Sequence, residues 1–189
     1  MTLTVDSSRN NLQDTFIINP DGAKNAILPL MVSKLLVPGK TIFTNVPTES
    51  EDVKTMVKIL EVLGLSCKTD KETLEIENHG ILKNITIPDK LASKTRYSSL
   101  LLGALGAFGC DFRIPLPGGC HLQEKRPLDI HYDCLQKIGY MVDERDNYIE
   151  CKKLPSRNDN ISITMKNVSV KTKDNNRKCC HRTRNKKCY

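Results

Sequence analysis

The chain has 189 residues, 39% of them hydrophobic and 27% charged, with a formal net charge of +7 at pH 7. That length and balance suit one ordinary soluble domain with a sizeable core, and they argue against a fibrous or wholly disordered chain. No apolar run nears the roughly 20 residues of a membrane-spanning helix. Met1–Asp6 lacks the basic and apolar segments of a signal peptide, so the expected setting is the cytoplasm. The charge is not spread evenly: residues 171–189 hold eight basic side chains and one acid, which accounts for the whole excess, and residues 1–170 balance. Any polyanion attraction therefore belongs to the tail.

In chain order, a short β-branched strand at Ile17-Ile18-Asn19 ends at Pro20. Gly22-Ala23-Lys24-Asn25 leads into a helix, Ala26–Val32, that is apolar nearly all round and is expected to be buried. A strand over Thr41–Val46 closes at Pro47. An amphipathic helix with Val53, Met56, Val57, Ile59, Leu60 and Leu63 on one face follows, then Gly64 as its C-terminal cap. The pairing of Ser66–Lys68 with Leu74–Ile76 makes a hairpin.

The same order then repeats. Ile85-Thr86-Ile87 is a strand before Pro88, and Ser99–Leu105 is a second apolar helix. Asp111–Leu116, closed by Pro117, matches the strand closed by Pro47. Leu128–Ile138 is an amphipathic helix capped by Gly139, and Met141–Asp143 pairs with Tyr148–Glu150 across an Asp146-Asn147 turn. A third copy opens with Ile161–Thr164 and stops after Asn167-Val168-Ser169-Val170, where a buried helix is due and Lys171-Thr172-Lys173 stands instead. Residues 171–189 contain no aliphatic side chain and are expected to be disordered. Self-similarity of this kind implies an α/β (α+β) inside-out repeat, with helices buried and sheets outside. The expected divisions are an N-terminal segment 1–15, unit one 16–84, unit two 85–160, the start of unit three 161–170, and the tail.

Chemistry gathers at three places. Pro117-Gly118-Gly119-Cys120 sets a thiol on a glycine-rich turn, with His121, Lys125 and Arg126 near in sequence to favour the thiolate. Arg126-Pro127-Leu128-Asp129-Ile130 follows, and Asp129 reads equally as a helix N-terminal acid or a ligand. Lys24, Arg96 and Ser169 each stand at the start of a unit's apolar helix. Unpaired N–H groups and partial positive charge there suit phosphate, and Lys24, Arg96 and Arg126 add charge-assisted contacts. Arg96 taken alone reads as a solvated surface arginine. The tail's Cys179-Cys180-His181 and Cys188 have metal-ligand types without paired Cys-x-x-Cys spacing, and its cations suit non-specific polyanion contact only. His79 and His131 read as a turn residue and a helix-face residue.

With these motifs in this order, the chain resembles the enolpyruvyl transferases over about Phe16–Val170, and within them the branch acting on UDP-N-acetylglucosamine. The shikimate branch lacks the Gly-Gly-Cys loop. The resemblance implies six such units in two domains with the site between them, of which this chain offers two and a start. It implies phosphoenolpyruvate at Lys24 and Asn25. It implies the nucleotide sugar at Arg96, at Arg126, Pro127, Leu128, Asp129 and Ile130, and at Asn167, Val168, Ser169 and Val170. It makes Cys120 the proton donor, the thiol that fosfomycin alkylates, and Lys24 the stabiliser of the phosphate. No metal or organic cofactor is implied, nor any specific nucleic acid or membrane partner; the oligomeric state stays open. The Cys120–Arg126 loop is one residue longer than is usual, with Gln123 in place of glycine. Gly-Ala-Thr is missing after Val170, and so is the second domain, as in a truncated or frameshifted product. Two readings follow: a transferase by family, or a fragment that binds nucleotide sugar without turnover.

Overall fold

A computed structural model describes residues 21–80, 85–117 and 128–155. Within them unit one comprises α1 (Lys24–Ser33), β1 (Gly39–Phe43), α2 (Glu51–Val62), β2 (Ser66–Asp70) and β3 (Thr73–Asn78). Unit two comprises α3 (Asp89–Ala92), a 3-10 turn (Arg96–Ser99), α4 (Leu100–Gly106), β4 (Phe112–Pro115), α5 (Asp129–Lys137), β5 (Tyr140–Glu144) and β6 (Tyr148–Lys153). Each unit folds its strands into a three-stranded antiparallel sheet, ordered β1-β3-β2 and β4-β6-β5. The closing hairpin thus places its second strand at the centre, where alternate residues Leu74 and Ile76, or Ile149 and Cys151, face the core.

The helices form the interior between the sheets, as the apolar runs suggested. Every residue of α4 is buried. Burial in α1 is confined to Ile27, Leu28, Met31 and Val32, while Leu30 is 50% exposed. The expectation of a helix buried all round therefore fails for α1, whose outward side has no covering element among the described residues. α1 packs on α2 and α4, and α2 also meets the 3-10 turn. This packing brings the starts of the two buried helices together.

Local chemistry explains the element ends. At the C-terminus of α2 the Gly64 N–H donates to the Glu61 carbonyl at 2.9 Å and the Leu65 N–H to that of Leu60 at 3.0 Å. Gly64 supplies the left-handed backbone this motif requires, with φ 102°, and Gly139 does the same after α5. Pro115 lies inside β4, an edge strand, where the missing N–H breaks no ladder on the open side.

Two further expectations need correction, and one element has no forerunner in the sequence reading. Ile85–Ile87 is reduced to one parallel bridge, Thr86 to Arg113, because Pro88 and the turn of α3 end the extended stretch at once. α3 itself was not anticipated; four residues carry no readable period. Matching the strands by their closing prolines is also one residue out. Phe43 pairs Leu74 and Ile114 pairs Ile149, so Thr41 corresponds to Phe112, not Asp111. No helix among the described residues is long and apolar enough to cross a membrane.

Candidate functional site

Lys24 and Asn25 are the first two residues of α1. Just ahead, Gly22 lies so close to the backbone of Asn45 that an added Cβ would fall 1.7 Å from the Asn45 carbonyl oxygen. Only glycine allows that approach, and it fixes where α1 begins. Arg96 opens the 3-10 turn, four residues ahead of α4 rather than on it.

A closed ring of polar contacts joins these two starts. The Lys24 Nζ donates to Asp52 Oδ2 at 2.8 Å. The Thr95 hydroxyl donates to the other oxygen, Oδ1, at 2.7 Å. Thr95 Oγ1 in turn accepts the Tyr97 N–H at 3.2 Å and so caps the turn. The Tyr97 hydroxyl donates back to Asn25 Oδ1. Two cations also lie against the Tyr97 ring, Lys24 Nζ at 5.8 Å and Arg96 Cζ at 5.5 Å from its centre, within cation–π range.

Asp52 sits in the first turn of α2, so it complements that helix dipole as well as Lys24. Burial works to raise its pKa, but hydrogen bonds from Lys24 and Thr95, with the charges of Lys24 and Arg96, outweigh burial and hold the carboxyl below its ordinary value. The hydrogen bond to Asp52 raises the Lys24 pKa in return, against some desolvation. Two cations thus face one carboxylate. The Lys24 side chain is 42% exposed and Arg96 is exposed, so both can still reach an anion from solvent.

Leu128 is the half-buried residue before α5, Asp129 is exposed in its first turn, and Ile130 is half-buried. α5 packs on α4 and β5. Cys120, Arg126, Pro127, Asn167, Val168, Ser169, Val170 and the tail lie outside the described residues. Of the other thiols, Cys134 is buried, and Cys67 and Cys151 are pushed up to about 12, mainly by burial and then by the charges of Glu61 and Glu150 respectively. Sequence reasoning missed Asp52, Thr95 and Tyr97. Asp52 looked like any first-turn acid, and the other two flank Arg96 without a chemistry of their own.

Residues 8–175 match the family model for EPSP synthase (3-phosphoshikimate 1-carboxyvinyltransferase). The chain belongs to the EPSP synthase family. Curated relatives include the UDP-N-acetylglucosamine 1-carboxyvinyltransferase of Desulforapulum autotrophicum, 41% identical over 69% of this chain and 31% of the relative. Another is UDP-N-acetylglucosamine 1-carboxyvinyltransferase 2 of Caldanaerobacter subterraneus subsp. tengcongensis, 34% identical over 79% of this chain and 35% of the relative. The chain therefore spans about a third of the length of the curated relatives it matches. The fold is that of the EPSP synthase from Acinetobacter baumannii, with a TM-score of 0.63 and 19% identity over 84% of this chain and 36% of that one. It is likewise that of the enolpyruvyl transferase NikO from Streptomyces tendae, with a TM-score of 0.58 and 16% identity over 75% of this chain and 31% of that one.

Proposed function

We propose that the chain forms one wall of a UDP-N-acetylglucosamine 1-carboxyvinyltransferase site, the enzyme of the first committed step of peptidoglycan synthesis in the cytoplasm. The observation that carries this reading is the ring of contacts that ties Lys24 and Asn25 of one unit to Thr95 and Tyr97 of the other, with Arg96 against the Tyr97 ring. The names of the curated relatives favour this substrate over a shikimate phosphate.

In this reading Lys24 and Asn25 take the phosphate of phosphoenolpyruvate. Arg96, residues 126–130 and residues 167–170 take the nucleotide sugar. The sugar 3-hydroxyl gives its proton to a general base as its oxygen bonds to C2 of phosphoenolpyruvate and C3 takes a proton from Cys120. A base then removes a proton from C3, which restores the double bond as the C2–O bond to phosphate breaks and phosphate leaves. Lys24 meets the charge on that phosphate, an electrostatic contribution. The chain spans about a third of the length of its relatives, and in the second reading it binds these ligands without completing transfer.

Fosfomycin separates the two readings. The Cys120 thiolate opens the epoxide, the S–C bond forming as the ring C–O bond breaks and its oxygen takes a proton. Peptide mapping is expected to find the adduct on Cys120, lost in Lys24→Ala, with no phosphate released from the two substrates. Phosphate release that needs both substrates and Cys120 would establish turnover by this chain. Labelling that ignores Lys24 would contradict the proposed site.

A further inference from the structure

We propose that Tyr97 is a positioning residue of this site: its hydroxyl turns the Asn25 carboxamide so that the amide nitrogen, not the oxygen, is presented to an anionic substrate group. The inference deepens the anion-binding reading above and rests on it. A carboxamide has an accepting end and a donating end, and only the donating end favours a phosphate or carboxylate. The Tyr97 O–H donates to Asn25 Oδ1, which occupies the accepting end and leaves the two N–H groups of Nδ2 to face a ligand.

The tyrosine is held in place to do this. It is 5% exposed, and its backbone N–H is tied to Thr95 Oγ1, which is itself tied to Asp52. The partner it orients is 72 positions away in sequence, at the start of the other unit's helix. Filling the core needs the ring alone; a buried phenol hydroxyl aimed at Asn25 adds direction. The same ring seats Lys24 and Arg96, so one side chain sets three donors of the site.

The test compares the full wild-type chain with Tyr97→Phe, Asn25→Ala and the double variant, using ¹⁵N-resolved side-chain amide resonances and phosphoenolpyruvate titration. Tyr97→Phe keeps the buried ring and is expected to move the Asn25 Nδ2 resonances before any ligand is added. It is expected to weaken phosphoenolpyruvate binding about tenfold, the scale of one oriented hydrogen bond. In the Asn25→Ala background the same change is expected to cost nothing further. Asn25→Asp keeps the acceptor for Tyr97 and removes the donors, and is expected to lose binding with the fold intact. Unmoved Asn25 resonances in Tyr97→Phe, or fully additive losses in the double variant, overturn the role given to Tyr97. Absence of saturable phosphoenolpyruvate binding by the wild type instead overturns the anion-binding reading, and the ligand-free amide comparison is read apart from it.

Discussion

The two units build the same sheet around the same pair of helices, yet they finish their buried helices differently. After α1 the Lys34 and Leu35 carbonyls, at the close of the helix, accept from Asn78 Nδ2 at 2.6 and 3.1 Å, a side chain from the last residue of β3. After α4 the Gly106 and Cys110 carbonyls accept from the Tyr140 hydroxyl at 3.0 and 3.3 Å, a side chain from the first residue of β5. A buried helix end leaves carbonyls that need donors. The fold repeats the requirement, and each unit meets it with a different residue from a different strand. The same holds at the other end, where Lys24 starts α1 directly and a Thr95-capped turn precedes α4. Packing is what the repeat conserves; the polar chemistry has diverged on top of it.

If packing is common to the units, Leu28→Ala in α1 and Leu101→Ala in α4 should each cost about 2–5 kcal/mol, since both side chains are fully buried. Urea unfolding of each variant measures this, and a much smaller loss for either would break the equivalence. If the end donors are counterparts, Asn78→Ala and Tyr140→Phe should each cost about 1–3 kcal/mol, the penalty for removing a buried hydrogen-bond donor from a helix end. A neutral result at one site would mean that its helix end is satisfied in another way.

The Lys24–Asp52 ion pair at the start of α1 has no equivalent at Arg96 ahead of α4 among the described residues, and its pH response sharpens the contrast. Asp52 titrates below its ordinary 3.8, so its stabilisation is present above that value and is lost as pH falls through the lowered one. Lys24 titrates above its ordinary 10.5, so its contribution is present below that value and is lost as pH rises through the raised one. The stability difference between wild type and Asp52→Asn should therefore be flat from about pH 5 to 9 and shrink in acid. The smallest effect concerns thiols. Competition alkylation should find Cys67 and Cys151 slow, since burial pushes both to about 12, and Cys120 fastest.

Much of this was legible in the sequence. Period-two alternation at Leu74 and Ile76 and the glycines after α2 and α5 fix the hairpins and helix ends by local rules alone. Lys24 and Arg96 stood out because a cation beside a buried helix start invites an anion. What escaped was tertiary. Asp52 takes its meaning from Lys24, 28 residues earlier, and from Thr95, 43 residues later, and Tyr97 takes its own from Asn25. No spacing rule reaches that far. The strand register slipped because Pro47 stands four residues after Phe43 while Pro117 stands three after its counterpart Ile114, so the closing prolines are not equivalent.

The central claim is that two units contribute to one anion-binding wall. Calorimetric titration of the full chain with UDP-N-acetylglucosamine and phosphoenolpyruvate, repeated for Lys24→Ala and Arg96→Ala, tests it most directly. Saturable binding by the wild type that both variants weaken about tenfold or more is the expected result, each removing a charge-assisted contact. Binding that survives either substitution unchanged, or no saturable binding by the wild type, would contradict it.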